Sequence, residues 1–188
     1  MRNSYLFVVL VASLASMGQF AIATYLPAFP VIGSDLGATP AQVQQTLTAY
    51  LLPFALTIVW HGAISDAIGR RGFILFGLAL FLLASLVCAM APTIQWLFAG
   101  RVLQGLSAGI GIVVGRAMIR DRFDGVQAQQ QMALVAILFS LAPALAPLCG
   151  GWLLPVVGWR GIFAFLAAIS ALLLLGCWRH LGETLVQE

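Results

Sequence analysis

The sequence predicts an all-α membrane protein: six transmembrane helices in one domain over residues 1–188. Three observations carry that reading. Only 8% of the residues are charged and 62% are hydrophobic, whereas a soluble domain is about 25% charged. The mean hydropathy is +1.03, and uncharged runs long enough to cross a bilayer, about 20 residues each, recur along the chain. The charges that remain sit in short turns between those runs. Every basic side chain other than histidine is arginine, and the net charge of +3 is spread over helix ends, which speaks against a nucleic-acid partner.

Span one covers about residues 5–26. Its apolar stretch is longer than a signal-peptide core, and no A-x-A site follows. Pro27 and Pro30 stop or kink it. Residues 33–40 read as a loop, after which Thr39 caps a new helix with Pro40 at its first position. Span two covers about residues 41–61, with Pro53 inside it. Gln42, Gln44, Gln45, Thr46, Thr48 and Tyr50 make its first half polar on one side, so that half faces protein or a watery cavity. His61 reads as an interface residue at the helix end, with a proton carrier as the alternative.

Gly62–Gly72, carrying Asp66, Arg70 and Arg71, reads as a polar turn whose glycines permit a tight reversal. Span three covers about residues 73–90 and span four about 94–118. In span four, Gly105 with Gly109 and Gly111 with Gly115 are spaced for close helix contact. Arg101 lies about two turns inside it, where a guanidinium costs several kcal/mol unless paired or hydrated. Span five, about 132–154, holds Pro143 and Pro147, with Ala142, Ala146 and Gly150 forming a flat face and Gly151 beside it. Residues 158–161 form a short turn before span six, about 162–178. Cys88, Cys149 and Cys177 have no metal-binding spacing and read as buried thiols, a Cys88–Cys149 bridge being the alternative.

Arginine placement sets the expected topology. Arg2, Arg70, Arg71, Arg116, Arg120, Arg122 and Arg179 fall on one side, Arg160 on the other, and Arg101 within the membrane. That bias makes the first side cytoplasmic, with both termini there. The pattern Gly62-x6-Gly69-x-Arg71-Gly72 recurs as Gly151-x6-Gly158-x-Arg160-Gly161, offset by 89 residues. Each copy joins the second and third spans of a three-span unit, and the two units have opposite orientation, as in an inverted 3+3 repeat.

Gly62-x-x-x-Asp66-x-x-Gly69-Arg70-Arg71 resembles the loop 2–3 motif of the major facilitator superfamily, and Arg101-x-x-Gln104-Gly105 its fourth-helix motif. Ala142-Pro143-x-x-x-Pro147-x-x-Gly150-Gly151 is similar to its fifth-helix antiporter motif. Tyr25-Leu26-Pro27-x-x-Pro30, Arg116-Ala-Met-Ile-Arg120-Asp121 and Glu183-Thr184-Leu185 resemble the drug:proton antiporter branch, nearest the bicyclomycin and chloramphenicol resistance subgroup. The resemblance implies half of a major facilitator fold in an inner membrane. It further implies multidrug efflux coupled to protons, with a second six-helix half as partner. The chain departs from the family where Ala23 stands in place of an acid, where Ala142 and Ala146 replace glycines, and in having six spans rather than twelve.

The resemblance gives Gly62, Asp66, Gly69, Arg70 and Arg71 a gating role as a latch; the other reading is a helix-end ion pair, worth little at a wet surface. It gives Arg101, Gln104 and Gly105 a coupling role, against a structural arginine held by Gln104 or carbonyls. Gln19, Tyr25, Gln45 and Tyr50 are candidates for a substrate cavity, or for polar contacts between helices. Neither a nucleotide-binding loop nor a zinc motif is present in the sequence, so no cofactor, metal or enzymatic activity is expected. Two functions stand: a transporter, or a non-transporting six-helix module. Two parallel copies could pair with spans two and five near the contact, since a lone bundle is expected to leave the Ala142–Ala146–Gly150 face open.

Overall fold

The computed structural model describes residues 2–185; residue 1 and residues 186–188 lie outside the described part. Those residues fold into helices α1 (Arg2–Tyr25), α2 (Phe29–Asp35), α3 (Pro40–Ile68), α4 (Arg70–Ala89), α5 (Ile94–Arg122) and α6 (Gly125–His180). A turn of 3₁₀ helix, Leu26–Ala28, joins α1 to α2. Five helical segments are long and apolar enough to cross a membrane, with residues 5–35 taken as one. The fifth, α6, has 56 residues. A straight helix of that length would measure about 84 Å against a hydrocarbon core of about 30 Å. It is broken at Gly158, whose φ of 68° and ψ of 180° are not helical, into limbs 125–157 and 159–180. The described residues therefore form six apolar rods.

The breaks are narrower than the sequence suggests. The prolines after Tyr25 end α1 but leave only a turn of 3₁₀ helix before α2, because Pro30 falls in the first turn of α2, where its missing N–H costs nothing. The expected loop over 33–40 shrinks to residues 36–39. Thr39 then caps α3 in a reciprocal box: its hydroxyl accepts from the Gln42 N–H at 3.2 Å, and Gln42 Oε1 accepts from the Thr39 N–H at 2.9 Å. The expected turn over 62–72 is one residue wide. Helix α3 continues through Ile68, Gly69 reverses the chain at φ 98°, and α4 starts at Arg70. Gly69 and Gly158 are the matching glycines of the sequence repeat, and both take a positive φ that L side chains rarely adopt.

The core lies on α1 and α5. Of the most apolar window of each, 67% of α5 is buried but only 11% of α3, so α3 is a peripheral helix with one face on the bundle. The glycine pairs of α5 address different neighbours. A Cβ on Gly111 would fall inside contact distance of the Leu14 carbonyl of α1, and one on Gly105 would strike the Tyr50 carbonyl of α3. Gly115 and Gly109 continue the two faces against Val11 and His61. His61 is accordingly not an interface residue: it is buried against α5, its Nε2 3.1 Å from the Leu106 carbonyl oxygen.

The small-residue face of α6 also has an internal partner. Ala142, Ala146 and Gly150 are all buried, and Gly150 lies against the Thr24 carbonyl of α1. The expectation that this face stays open for a second copy is corrected. Close backbone contact within the chain consumes it. Pro143 and Gly151 are exposed on the other side of the helix, and Pro147 is half-buried.

Candidate functional site

Two polar constellations interrupt the apolar bundle. The first surrounds Arg101, which is fully buried. Its Cζ lies 4.6 Å from the ring centre of Tyr25 and 4.4 Å from that of Tyr50, with Phe163 at 6.0 Å. Tyr25 ends α1, Tyr50 sits in α3, and Phe163 comes from the second limb of α6, so four helices meet on one guanidinium. Gly105, one turn along α5 from Arg101, allows this by letting the α3 backbone approach at Tyr50.

The rings are fixed by their hydroxyls. Tyr50 Oη donates to the Gly18 carbonyl at 3.0 Å. Tyr25 Oη is hydrogen-bonded to Thr46 Oγ1, and that threonine hydroxyl in turn donates to the Val43 carbonyl at 2.6 Å. Both tyrosines thus anchor their polar tips away from Arg101 and present π faces to it. A cation over such a face gains roughly 0.5–2 kcal/mol, toward the upper end when desolvated.

Arg101 makes one strong hydrogen bond, from Nη1 to Gln104 Oε1 at 2.8 Å. Gln104 Nε2 donates to Ser85 Oγ at 2.8 Å, and Ser85 donates to the Phe81 carbonyl at 2.8 Å. The Cys88 thiol lies 3.9 Å from Gln104 Oε1. Nε and Nη2 of Arg101 are buried without a hydrogen-bond partner among the described residues, and no carboxylate there pairs with it. Ala23, where a carboxylate would sit in the resembled subgroup, is buried and offers none. A desolvated cation with unsatisfied N–H donors attracts any anion or acid brought beside it.

The second constellation ties one end of the bundle together. Arg70 pairs with Asp66, one turn earlier, and its Nε donates to Asp121 Oδ2 at 3.1 Å. Arg70 Nη1 donates to Ser65 Oγ at 2.6 Å, and the Thr184 hydroxyl donates to Asp121 at 3.1 Å. Glu183 caps α4: its carboxylate accepts the N–H of Arg70 at 3.0 Å and of Arg71 at 3.1 Å, where the positive end of the helix dipole favours a negative charge. Arg71 Nη2 donates to the Trp178 carbonyl at 2.8 Å. Gly69 fits here because a Cβ would lie 2.8 Å from Glu183 Oε2 as well as demanding a strained φ. The opposite end has a smaller counterpart, in which Asp35 binds Arg160 and the Trp159 indole N–H, the latter at 2.9 Å.

Burial raises the Glu183 carboxyl, but the backbone N–H groups of Leu185, Arg71, Arg70 and Thr184 outweigh it and hold the group below the usual glutamate value. A depressed folded value contributes stability that is fully present above the unfolded value of about 4.3 and lost as pH falls through the folded one. Glu183→Gln is therefore expected to lower the thermal midpoint near neutral pH. The wild-type advantage should shrink as the pH falls below the unfolded value and vanish below the depressed folded one, read by melting in detergent across the acid range. An unchanged gap at acid pH would show that the carboxylate charge is not what caps α4.

Of the candidates read from the sequence, Tyr25, Tyr50, Arg101, Gln104 and Gly105 come together at the first constellation, and Asp66, Gly69, Arg70 and Arg71 at the second. Gly62 lies one helical turn before Asp66, inside α3. Gln19 is half-buried and Gln45 exposed, and neither joins the Arg101 network. A cleft of about 660 Å³ opens between α2 and α3, lined by Leu26, Phe29, Pro30, Val43, Gln44 and Leu47 among others, but by none of the four cavity candidates. Thr46, Ser85, Cys88, Phe163, Asp121 and Glu183 join these constellations beyond the residues the sequence points to. Ser85 and Cys88, three apart in an otherwise apolar helix, were the readable signal for the first group. Phe163 carried none.

The family model for the Major Facilitator Superfamily matches residues 8–185. The chain belongs to that superfamily. Its relatives include the uncharacterized MFS-type transporter YdgK of Bacillus subtilis, 41% identical over 95% of this chain and 45% of the relative. Multidrug resistance protein D of Escherichia coli is 34% identical over 97% of this chain and 46% of its own length. Among solved structures, the human organic anion transporter MFSD10 (TETRAN) superposes with a TM-score of 0.69 over 95% of this chain and 47% of that one, at 21% identity. The chain thus spans a little under half the length of these relatives and has the fold of one half of a facilitator. Together these findings support the resemblance to drug:proton antiporters and make the protein a multi-pass membrane protein.

Proposed function

We propose that this facilitator chain is one half of a proton-coupled efflux transporter for small drug-like compounds, working beside a second six-helix half in an inner membrane. The observation that carries the proposal is Arg101: a fully buried guanidinium, bracketed by Tyr25 and Tyr50, with donors to spare. An unpaired cation at this depth is expensive, and ionisable groups inside a membrane mark ion or substrate pathways. The name of the multidrug resistance relative supports the substrate class.

In this proposal six rods cross the membrane with both termini cytoplasmic. Arg70, Arg71, Arg120, Arg122 and Arg179, at helix ends on one side of the bundle, and Arg116, between one and two turns further in along α5, support that orientation. Arg101 acts as a fixed positive charge. Its field lowers the proton affinity of an acid that a moving second half brings near the Tyr25–Tyr50 clamp, so that acid loses its proton there and regains it when the halves part. Asp66, exposed at the end of α3 and held by Arg70, is the latch that the second half engages in one state. The second half can be another copy, related by an axis along the membrane normal. Since the Ala142–Ala146–Gly150 face is closed, the contact falls to exposed Leu52, Leu56 and Val59 of α3 and Leu141, Leu145 and Leu148 of α6.

A second reading, a non-transporting six-helix module, is favoured by one feature. The network of Asp66, Arg70, Asp121 and Glu183 closes entirely within this chain. Reconstitution in liposomes separates the two. An imposed pH gradient should drive accumulation of a fluorescent lipophilic dye, and an uncoupler should abolish it. Folded protein that moves neither dye nor protons would leave the module reading standing.

A further inference from the structure

At the end of the bundle that carries most of the arginines, the start of α1, the end of α5 and the end of α6 enclose a cleft of about 220 Å³. It is lined by Leu6, Phe7, Arg122, Arg179 and His180. Two guanidinium groups and an imidazole therefore share one recess. Arg122 is steadied over the Phe7 ring, 4.6 Å from its centre. Among the described residues no carboxylate pairs with Arg122, Arg179 or His180. Of the acids at this end, Asp66 and Asp121 are engaged on Arg70 and Glu183 on the first N–H groups of α4, while Asp124, just past Arg122, is exposed and pairs with none of the three cleft residues. The cleft concentrates positive charge that no carboxylate among the described residues pairs with.

Its surroundings are apolar. Tyr5, Leu6 and Val9 are exposed along α1, and Leu172, Leu175 and Trp178 along α6, in two stripes that lead from the cleft toward the middle of the helices. Exposed tyrosine and tryptophan at helix ends are the residues that settle at the headgroup level of a bilayer. A ligand matched to the whole feature is anionic at one end and a long hydrocarbon at the other.

We propose that this cleft binds the phosphate of an anionic phospholipid, with the acyl chains lying against the two apolar stripes. Basic pockets between membrane helices suit such headgroups, each nearby arginine adding attraction. The two arginines and the imidazole supply the charge and hydrogen-bond donors. A free phosphate would use those donors but gain nothing from the stripes. The site is separate from both constellations described above, and it does not depend on whether the chain transports.

Native mass spectrometry of the purified chain in detergent tests the proposal, with phosphatidylglycerol and phosphatidylcholine supplied in equal amounts. Phosphatidylglycerol should be retained at least about tenfold better. The pair Arg122→Gln with Arg179→Gln should erase that preference. Arg116→Gln with Arg120→Gln removes the same charge from another part of the same end and should keep it. Preference surviving in the first pair, or lost equally in both, would overturn the site. A thermal-shift series on the wild-type chain gives a decision without any variant. Phosphatidylglycerol should raise the midpoint, and phosphatidylcholine or inorganic phosphate should not. Equal stabilisation by inorganic phosphate would make it a soluble-anion site and overturn the lipid assignment.

Discussion

Gly150→Ala is expected to destabilise the bundle by about 3 kcal/mol or more, the upper range for overpacking a close contact. The added methyl would fall well inside contact distance of the Thr24 carbonyl oxygen. That obstacle is backbone, so no rotamer change relieves it, and α1 would have to move from α6. Alanine is otherwise the better helix former by about 1 kcal/mol, which works against the clash without matching it. The neighbouring Gly151→Ala supplies the control. Gly151 is exposed, and nothing lies within 4 Å of a Cβ there. That variant should melt at or slightly above the wild-type temperature, since only helix propensity changes. Melting both in one detergent decides the matter. Similar behaviour of the two would mean that the α1–α6 approach at Thr24 is not a tight contact in solution.

This pair of glycines also marks what the sequence could and could not disclose. The period-four spacing of Ala142, Ala146 and Gly150 announced a flat face, because small side chains at that spacing have few other uses in an apolar helix. Nothing in the spacing names the helix that fills the face, and a partner within the chain serves as well as a second copy. The same limit applies in α5, where the glycine pairs were evident but their division between α1 and α3 was not. Helix breaks were legible as positions and illegible as widths. Gly69 and Gly158 stood in a repeated pattern, yet whether a glycine reverses the chain alone or within a longer turn depends on what packs beside it. For Gly69 the neighbour is Glu183, more than a hundred residues away.

Site residues divided in the same way. Arg101 and Gln104 announced themselves by being polar at membrane depth. Tyr25 and Tyr50 did so as amphipathic side chains near helix bends and polar runs, although their π faces, rather than their hydroxyls, meet the arginine. Gln19 and Gln45 carried the same kind of signal and stay outside the network, because polarity alone does not fix which side of a helix turns inward. His61 misled for a related reason. Its place at the end of an apolar run suggested the interface, but Gly109 leaves room for the ring against α5.

Arg101→Ala is expected to reduce gradient-driven dye transport by about a hundredfold or more, an effect of the size seen when a group stabilising a charged intermediate is removed. Its stability should change by less than about 2 kcal/mol, because opposing contributions nearly cancel. On one side are two aromatic faces at about 0.5–2 kcal/mol each and one charged hydrogen bond at about 1.5–3 kcal/mol. On the other is the several-kcal/mol cost of holding an unpaired cation out of water. A residue kept only for structure would show the reverse, a large loss of stability and transport lost in proportion to folded protein. Arg101→Lys sharpens the distinction. It keeps the charge but not the flat guanidinium that stacks between Tyr25 and Tyr50 and reaches Gln104. If charge alone serves coupling, lysine should restore a measurable part of the transport that alanine removes. If the stacked geometry is also needed, lysine should remain near the alanine level. Wild-type transport in Arg101→Ala would overturn the coupling role outright, and an alanine variant that melts far below the wild type would assign Arg101 to structure.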